Sequence, residues 1–166
     1  DLSRTASRGM FKGGLQDSSE ITTRYHTATH LLHASLRKIL GDHVSQKGSN
    51  ITGERLRFDF SHNQKISKED IAKIENLVNQ KIEENILVEK LEMKKDEALK
   101  LGALAFFPEK YPGVTSVYKI GDFSLELCGG PHVGSTGKLK KIKIIKEESA
   151  GSGIRRIYAT ALFPKK

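Results

Sequence analysis

The chain has 166 residues, room for one ordinary domain or a domain with a small appendage. Its 37% hydrophobic and 29% charged residues fit a soluble globular protein and exclude a disordered or membrane-embedded chain, since no apolar run approaches the roughly 20 residues that span a bilayer. The single cysteine excludes an internal disulfide, the N-terminus lacks the apolar core of a signal peptide, and the net charge of +8 admits a polyanionic partner without establishing one. A cytoplasmic protein is expected, and a first residue of Asp rather than Met suggests a fragment or a processed chain.

Residues 1–21 are rich in Gly, Ser and Thr and read as a leading linker; residues 22–166 form the domain. From about Thr22 to Leu40, Ala28, Leu31, Leu32, Leu36, Ile39 and Leu40 recur at helical spacing, and Gly41 ends the run. His26, His30, His33 and Arg37 fall on the opposite side of that helix, flanked by Thr29. His43 to Asn50 starts a strand, and Leu56, Phe58 and Phe60 alternate with Arg57 and Asp59 in a second, joined to it by a hairpin through Gly53. Ser67 caps a helix whose core stripe is Ile71, Ile74, Leu77, Val78 and Ile82.

Leu87 to Met93 reads as a strand and Lys95 to Leu101 as a short helix ended by Gly102. Strands at 114–120 and 123–128 flank a Gly121-Asp122 turn, and strands at 139–146 and 154–163 flank the SAGSG stretch at 149–153. Between these hairpins runs the loop CGGPHVGSTG. Short strands in tight hairpins, mixed with helices, define an α+β domain with an antiparallel sheet and packed helices.

Two short motifs carry chemistry. His26 and His30 form an H-x-x-x-H on one helical face, close enough to share an ion. Alone, the pair is as readily two hydrogen-bonded surface histidines. Cys128 and His132 form a C-x-x-x-H in which two glycines let the backbone fold tightly. Three imidazoles and a thiolate complete a tetrahedral zinc set, and the chain's only cysteine sits there. The plainer alternative is a buried cysteine beside a turn histidine. His33 is expected at the surface, although its face would also let it support a ligand. Glu126 alternates along its strand and is expected to be as readily a surface residue as a base.

HTATHLLH, HVSQKGS, LRFDFSH, GDFSLELCGGPH and SGIRRI, in that order, resemble the editing domain of alanyl-tRNA synthetase and its free-standing deacylase relatives. The resemblance covers nearly the whole chain, and SRTASRGMFKGGL resembles the segment leading into that domain in full-length synthetases. It implies the fold of the synthetase second additional domain and zinc held by His26, His30, Cys128 and His132. It also implies that Gln46 and Thr29 act on the mischarged amino acid. One departure is Pro131, where many members carry Thr; it is expected to affect loop shape and little of the metal binding.

The implied activity is hydrolysis of serine or glycine from mischarged tRNA for alanine, with tRNA and other synthetase domains as partners. Gln46, Thr29 and Cys128 are the expected catalytic residues. A zinc ion either activates water, polarises the carbonyl or positions the substrate. Lys140, Lys141 and Lys143, within a basic run from Lys138 to Lys146, and Arg155 or Arg156 are expected to meet RNA phosphates. The alternatives are a free-standing editing protein and a zinc-stabilised RNA-binding module without catalysis. The chain carries no ATP-binding or aminoacylation motif and is not expected to charge tRNA by itself.

Overall fold

The computed structural model describes residues 14–15, 19–106 and 111–162. The leading segment at 1–21 lies largely outside the described residues; within them, Leu15 makes a parallel bridge to Ile51. Helix α1 (Glu20–Leu40) starts where Ser19 Oγ accepts the Thr22 N–H at 3.3 Å. It stops at Gly41, whose φ of 125° favours glycine and whose N–H returns to Arg37 O at 3.0 Å.

Every residue of α1 from Tyr25 to Leu36 is buried. A helix at the surface would bury one stripe only, so α1 is the middle layer of the fold. Its apolar residues join the main core with Phe58, Phe60 and the Ile74, Val78 and Ile82 stripe of helix α2 (Lys68–Glu83). Its histidine face is covered as well, by elements from the second half of the chain.

Strands β1 (Gln46–Ile51) and β2 (Leu56–Ser61) pair through the expected hairpin. Helix α2 begins at Ser67, whose Oγ accepts the Asp70 N–H at 3.1 Å. Strand β3 (Val88–Lys94), the short helix α3 (Lys95–Lys100), β4 (Val114–Ile120) and β5 (Ser124–Leu127) follow. The chain closes with a 3-10 turn (Thr136–Leu139), β6 (Ile142–Gly151) and β7 (Ile154–Ala161). Two antiparallel sheets result, ordered β1-β2-β7-β6 and β3-β4-β5. Among the described residues no helix is long and apolar enough to cross a membrane.

The last hairpin departs from expectation. Residues 139–141 are not strand, because Leu139 is drawn fully into the core and Lys140 takes a φ of 65°. β6 instead runs on to Gly151, kept in register with β7 by irregularities at 144–146 and 149–151. Its start is capped by α2: Asn79 exchanges two hydrogen bonds with Ile142, at 2.8 and 2.9 Å, and Glu75 accepts the Ile144 N–H at 2.7 Å. Side chains thus satisfy backbone groups that an edge strand would leave open.

Thr136 anchors the loop between β5 and β6. Its buried hydroxyl donates to Lys81 O at 2.7 Å and accepts the Ile86 N–H at 2.8 Å. Thr136→Val keeps the shape and strands both backbone groups. It is expected to cost about 2–4 kcal/mol in urea unfolding; a loss below about 0.5 kcal/mol would mean the hydroxyl does not hold this junction.

Candidate metal centre

His26, His30, Cys128 and His132 come together, each offering a ligand atom within 4.8 Å of the others. His26 and His30 stand one turn apart on α1, their ring centroids 5.2 Å apart and edge-on. The His132 ring stacks on His26 at 4.1 Å and meets His30 at 4.2 Å. Cys128 follows the end of β5, and its Sγ lies 3.3 Å from His26 Nε2.

Each imidazole has an oxygen atom behind it at Nδ1, hydrogen-bonded for His26 and His132 and in close contact for His30. His26 Nδ1 donates to Pro131 O at 2.8 Å. Thr27 Oγ1 donates to Thr23 O at 3.3 Å and accepts the Val133 N–H at 3.1 Å, so its remaining lone pair receives His132 Nδ1–H at 2.9 Å. His30 Nδ1 lies 3.2 Å from Glu126 Oε2, short but off the line of a hydrogen bond. Such tautomers leave the Nε2 lone pairs for the cluster. His132 Nε2 is buried with no hydrogen-bond partner, which a native structure rarely tolerates without an ion or water. This orphaned acceptor, with two more imidazoles and a thiol, fits a metal ion.

The loop geometry follows from Gly130. Its φ is 74°, and a Cβ there would stand 2.5 Å from the Tyr118 hydroxyl. Only glycine lets the chain turn this tightly under the tyrosine. The turn presents Cys128 and His132 on one side and brings the Gly130 N–H to 3.4 Å from Sγ.

Burial sets the protonation of the cluster. It lowers the His26 pKa to about 3, with His30 adding to the effect, and lowers those of His30 and His132. It also pushes the Cys128 thiol up to about 12. For Glu126 burial acts upward, but the imidazoles of His30 and His33 outweigh it and bring the carboxyl down to about 2. Burial therefore favours neutral His26, His30 and His132 and a protonated Cys128 in the metal-free centre.

Thr29 and Gln46 line the same cleft as His26, His30 and Cys128, with Phe58, Tyr111 and Leu127 as walls. The Thr29 hydroxyl donates to Tyr25 O at 2.9 Å, leaving oxygen lone pairs to accept. Gln46 Nε2 is buried with no hydrogen-bond partner. A bulge puts Gln46 there. Gln46 pairs with Phe60 but Gly48 already pairs with Asp59, so one extra residue is accommodated at Lys47. Without it, Gln46 would share the face of Asp59; with it, Gln46 shares the face of Phe58 and Phe60.

Two expectations need correction. Glu126 is not a surface residue: it is 7% exposed and accepts from His33 Nδ1 at 2.9 Å. His33 is not at the surface either, at 3% exposed, because β5 closes over the helix face that carries it. The contact of Pro131 with His26 is through its backbone carbonyl, which any residue at that position would supply. Sequence reasoning missed Thr27 and Tyr111. It had a signal for Glu126, because residues two apart on a strand share a face and Glu126 precedes Cys128 by two.

The basic residues separate into two groups. Lys138, Lys140, Lys141 and Lys143 are exposed. Arg155 instead holds Glu147 at 2.6 Å, and Arg156 makes a two-pronged contact with Asp59 at 2.8 and 3.0 Å.

Comparison with known proteins agrees with the fold. Residues 115–158 match the family described as threonyl and alanyl tRNA synthetase second additional domain. An alanine-tRNA ligase of Treponema denticola is 58% identical over 159 residues, 96% of this chain and 26% of the relative. That of Borreliella burgdorferi is 54% identical over 94% of this chain and 27% of its own length. That of Caldicellulosiruptor saccharolyticus is 54% identical over 83% of this chain and 16% of its own. The chain belongs to the second-additional-domain family of threonyl- and alanyl-tRNA synthetases, and within it to the alanyl type. It spans about a quarter of the length of the first of these relatives.

The buried imidazoles make metal-free stability depend on pH. His26 has a folded pKa of about 3 against 6.5 when exposed, so its contribution is complete above pH 6.5 and lost as pH falls toward 3. Glu126, at about 2 against 4.5, is lost lower, between pH 4.5 and 2. Urea unfolding of the metal-stripped chain should lose about 1.4 kcal/mol per pH unit from His26 alone below pH 6.5. A flat stability between pH 7 and 5 would contradict the neutral centre.

Proposed function

We propose that this domain hydrolyses the ester joining a wrong amino acid, serine or glycine, to the 3′ end of tRNA for alanine, as part of a cytoplasmic alanyl-tRNA synthetase. One observation carries the reading: three of the four candidate metal-binding side chains, His26, His30 and Cys128, line the same cleft as the unpartnered Nε2 of Gln46 and the hydroxyl of Thr29. A purely structural metal site has no need of polar groups left open beside it. That the relatives are full-length ligases supports the embedded form over a free-standing one.

Hydrolysis adds water across the ester. The acyl carbon–oxygen bond to the ribose breaks, the water oxygen stays with the amino acid, and a proton passes to the ribose oxygen. The ion we assign to the centre is zinc, given three imidazoles and a thiolate. When bound it supplies positive charge that polarises the carbonyl, acidifies a water or holds the substrate amino group. His26, His30 and His132 would hold it through ring nitrogens, and Cys128 would hold it as the thiolate. Gln46 Nε2 donates to the substrate, and Thr29 Oγ1 accepts from it.

The selectivity has a physical basis. A pocket built for alanine cannot exclude the smaller glycine and rejects serine weakly, because one hydroxyl costs little there. A second site must then read what the first admits. The hydrogen bonds offered by Gln46 and Thr29 suit a serine hydroxyl, which the alanine methyl cannot match. RNA phosphates are assigned to the exposed Lys140, Lys141 and Lys143. Arg155 and Arg156 would first have to release Glu147 and Asp59.

A second reading, a structural metal module that binds RNA without catalysis, is favoured by the closed set of four protein ligands. Release of serine from serylated tRNA by the purified chain separates the two. Thr29→Val and Gln46→Ala are each expected to slow it about 10–100-fold, while folding and metal content stay unchanged. Full activity in both variants would remove these residues from the mechanism. Folded Cys128→Ala retaining full activity would favour a structural centre.

Changing Lys140, Lys141 and Lys143 to Glu together should weaken tRNA binding and flatten its salt dependence, by a slope of about 0.7–0.9 per lost phosphate contact. An unchanged slope would place the RNA elsewhere.

A further inference from the structure

We propose that Glu126 is a positioning residue of the metal centre, one buried carboxylate that fixes the tautomer and orientation of His30 with His33 as its brace. The inference rests on the metal-binding reading above. It begins with two contacts: Glu126 Oε1 accepts from His33 Nδ1 at 2.9 Å, and Oε2 stands 3.2 Å from His30 Nδ1. An ionised carboxylate only accepts. An Nδ1 lone pair at that distance would repel it, so His30 carries its hydrogen on Nδ1. A neutral imidazole has one such hydrogen, and His30 Nε2 is left as the bare donor facing the cluster.

The brace gives the arrangement its direction. His33 sits three residues along α1 from His30, with its ring 5.2 Å from that of Phe58. It fixes one carboxylate oxygen and so aims the other at His30. The strand does the rest. Glu126 and Cys128 are two residues apart and point the same way, so the end of β5 delivers both a ligand and the group that orients another ligand. His26 and His132 are held by a neutral carbonyl and a hydroxyl. His30 alone among the three described ligand rings faces a charged acceptor, which makes it the more basic donor.

Charge supports the same assignment. A divalent ion with a single thiolate leaves a net positive charge in a buried place, which is costly. Glu126 cancels it without touching the ion.

The test uses zinc alone as the probe. Glu126→Gln keeps the size but turns one acceptor into a donor facing an imidazole N–H. It is expected to lower zinc affinity about 10–100-fold against a chromogenic chelator, with the circular dichroism of the metal-free chain unchanged. Glu126→Asp keeps the carboxylate and should recover part of the loss. In the unaltered metal-free chain, imidazole nitrogen NMR above pH 7 should show His30 protonated on Nδ1. Wild-type zinc affinity in folded Glu126→Gln, or His30 protonated on Nε2, would overturn the proposal. If Glu126→Gln does not fold, the tautomer in the unaltered chain decides the matter. If the unaltered chain binds no zinc, the metal reading fails, and the tautomer still judges Glu126 separately.

Discussion

A helix buried on every side has to satisfy whatever polar groups it carries into the interior, and in α1 those groups are imidazoles. The chain places His26, Thr27, His30 and His33 on a face that is buried in the folded domain. Unpaired N–H and nitrogen acceptors there would cost more than the domain's net stability allows. The elements that close over this face therefore have to arrive with oxygen atoms in defined places. Pro131 brings a carbonyl and β5 brings the Glu126 carboxylate, while Thr27 answers His132 from the helix itself. The three-layer arrangement and the metal centre have one origin.

This division of labour separates orientation from binding. Each ring meets an oxygen of backbone, hydroxyl or carboxylate at Nδ1, and its other nitrogen is left for a ligand. Burial keeps the imidazoles neutral and the rear contacts keep them turned inward before anything binds, so little reorganisation is left for the binding step. The substrate side is built by different means. There a one-residue bulge in β1 rotates Gln46 onto the face of Phe58 and Phe60. A positional device in the backbone thus supplies a polar group that alternation alone would have sent to the far side.

Much of this was legible in the sequence, and what was not has physical causes. The 3.6-residue spacing of Ala28, Leu31, Leu32 and Leu36 gave α1, and the Gly121-Asp122 pair gave the β4–β5 hairpin. His26, His30, Cys128 and His132 were readable because ligand spacing is a local property. Burial of His33 and Glu126 was not, since it depends on which strand lies over which helix face, a fact no local pattern encodes. The turn at Thr136–Leu139 was hidden for a similar reason: alternating Lys and Leu look like a strand until Leu139 is pulled into the core. The bulge at Lys47 escaped because nothing in QKGSNI distinguishes an even register from a shifted one.

The contacts that shape the centre join distant parts of the chain. His26 meets Pro131, and Thr27 meets His132, across 105 residues each. On a ribosome delivering about 5–20 residues each second, helix α1 exists for several seconds before its partners emerge. Throughout that interval its histidine face is bare to solvent, and only His26 and His30 of the four-residue cluster have been made. Competence is thus a property of the finished chain, switched on by closure of one very long loop, and a half-made domain is inert by construction.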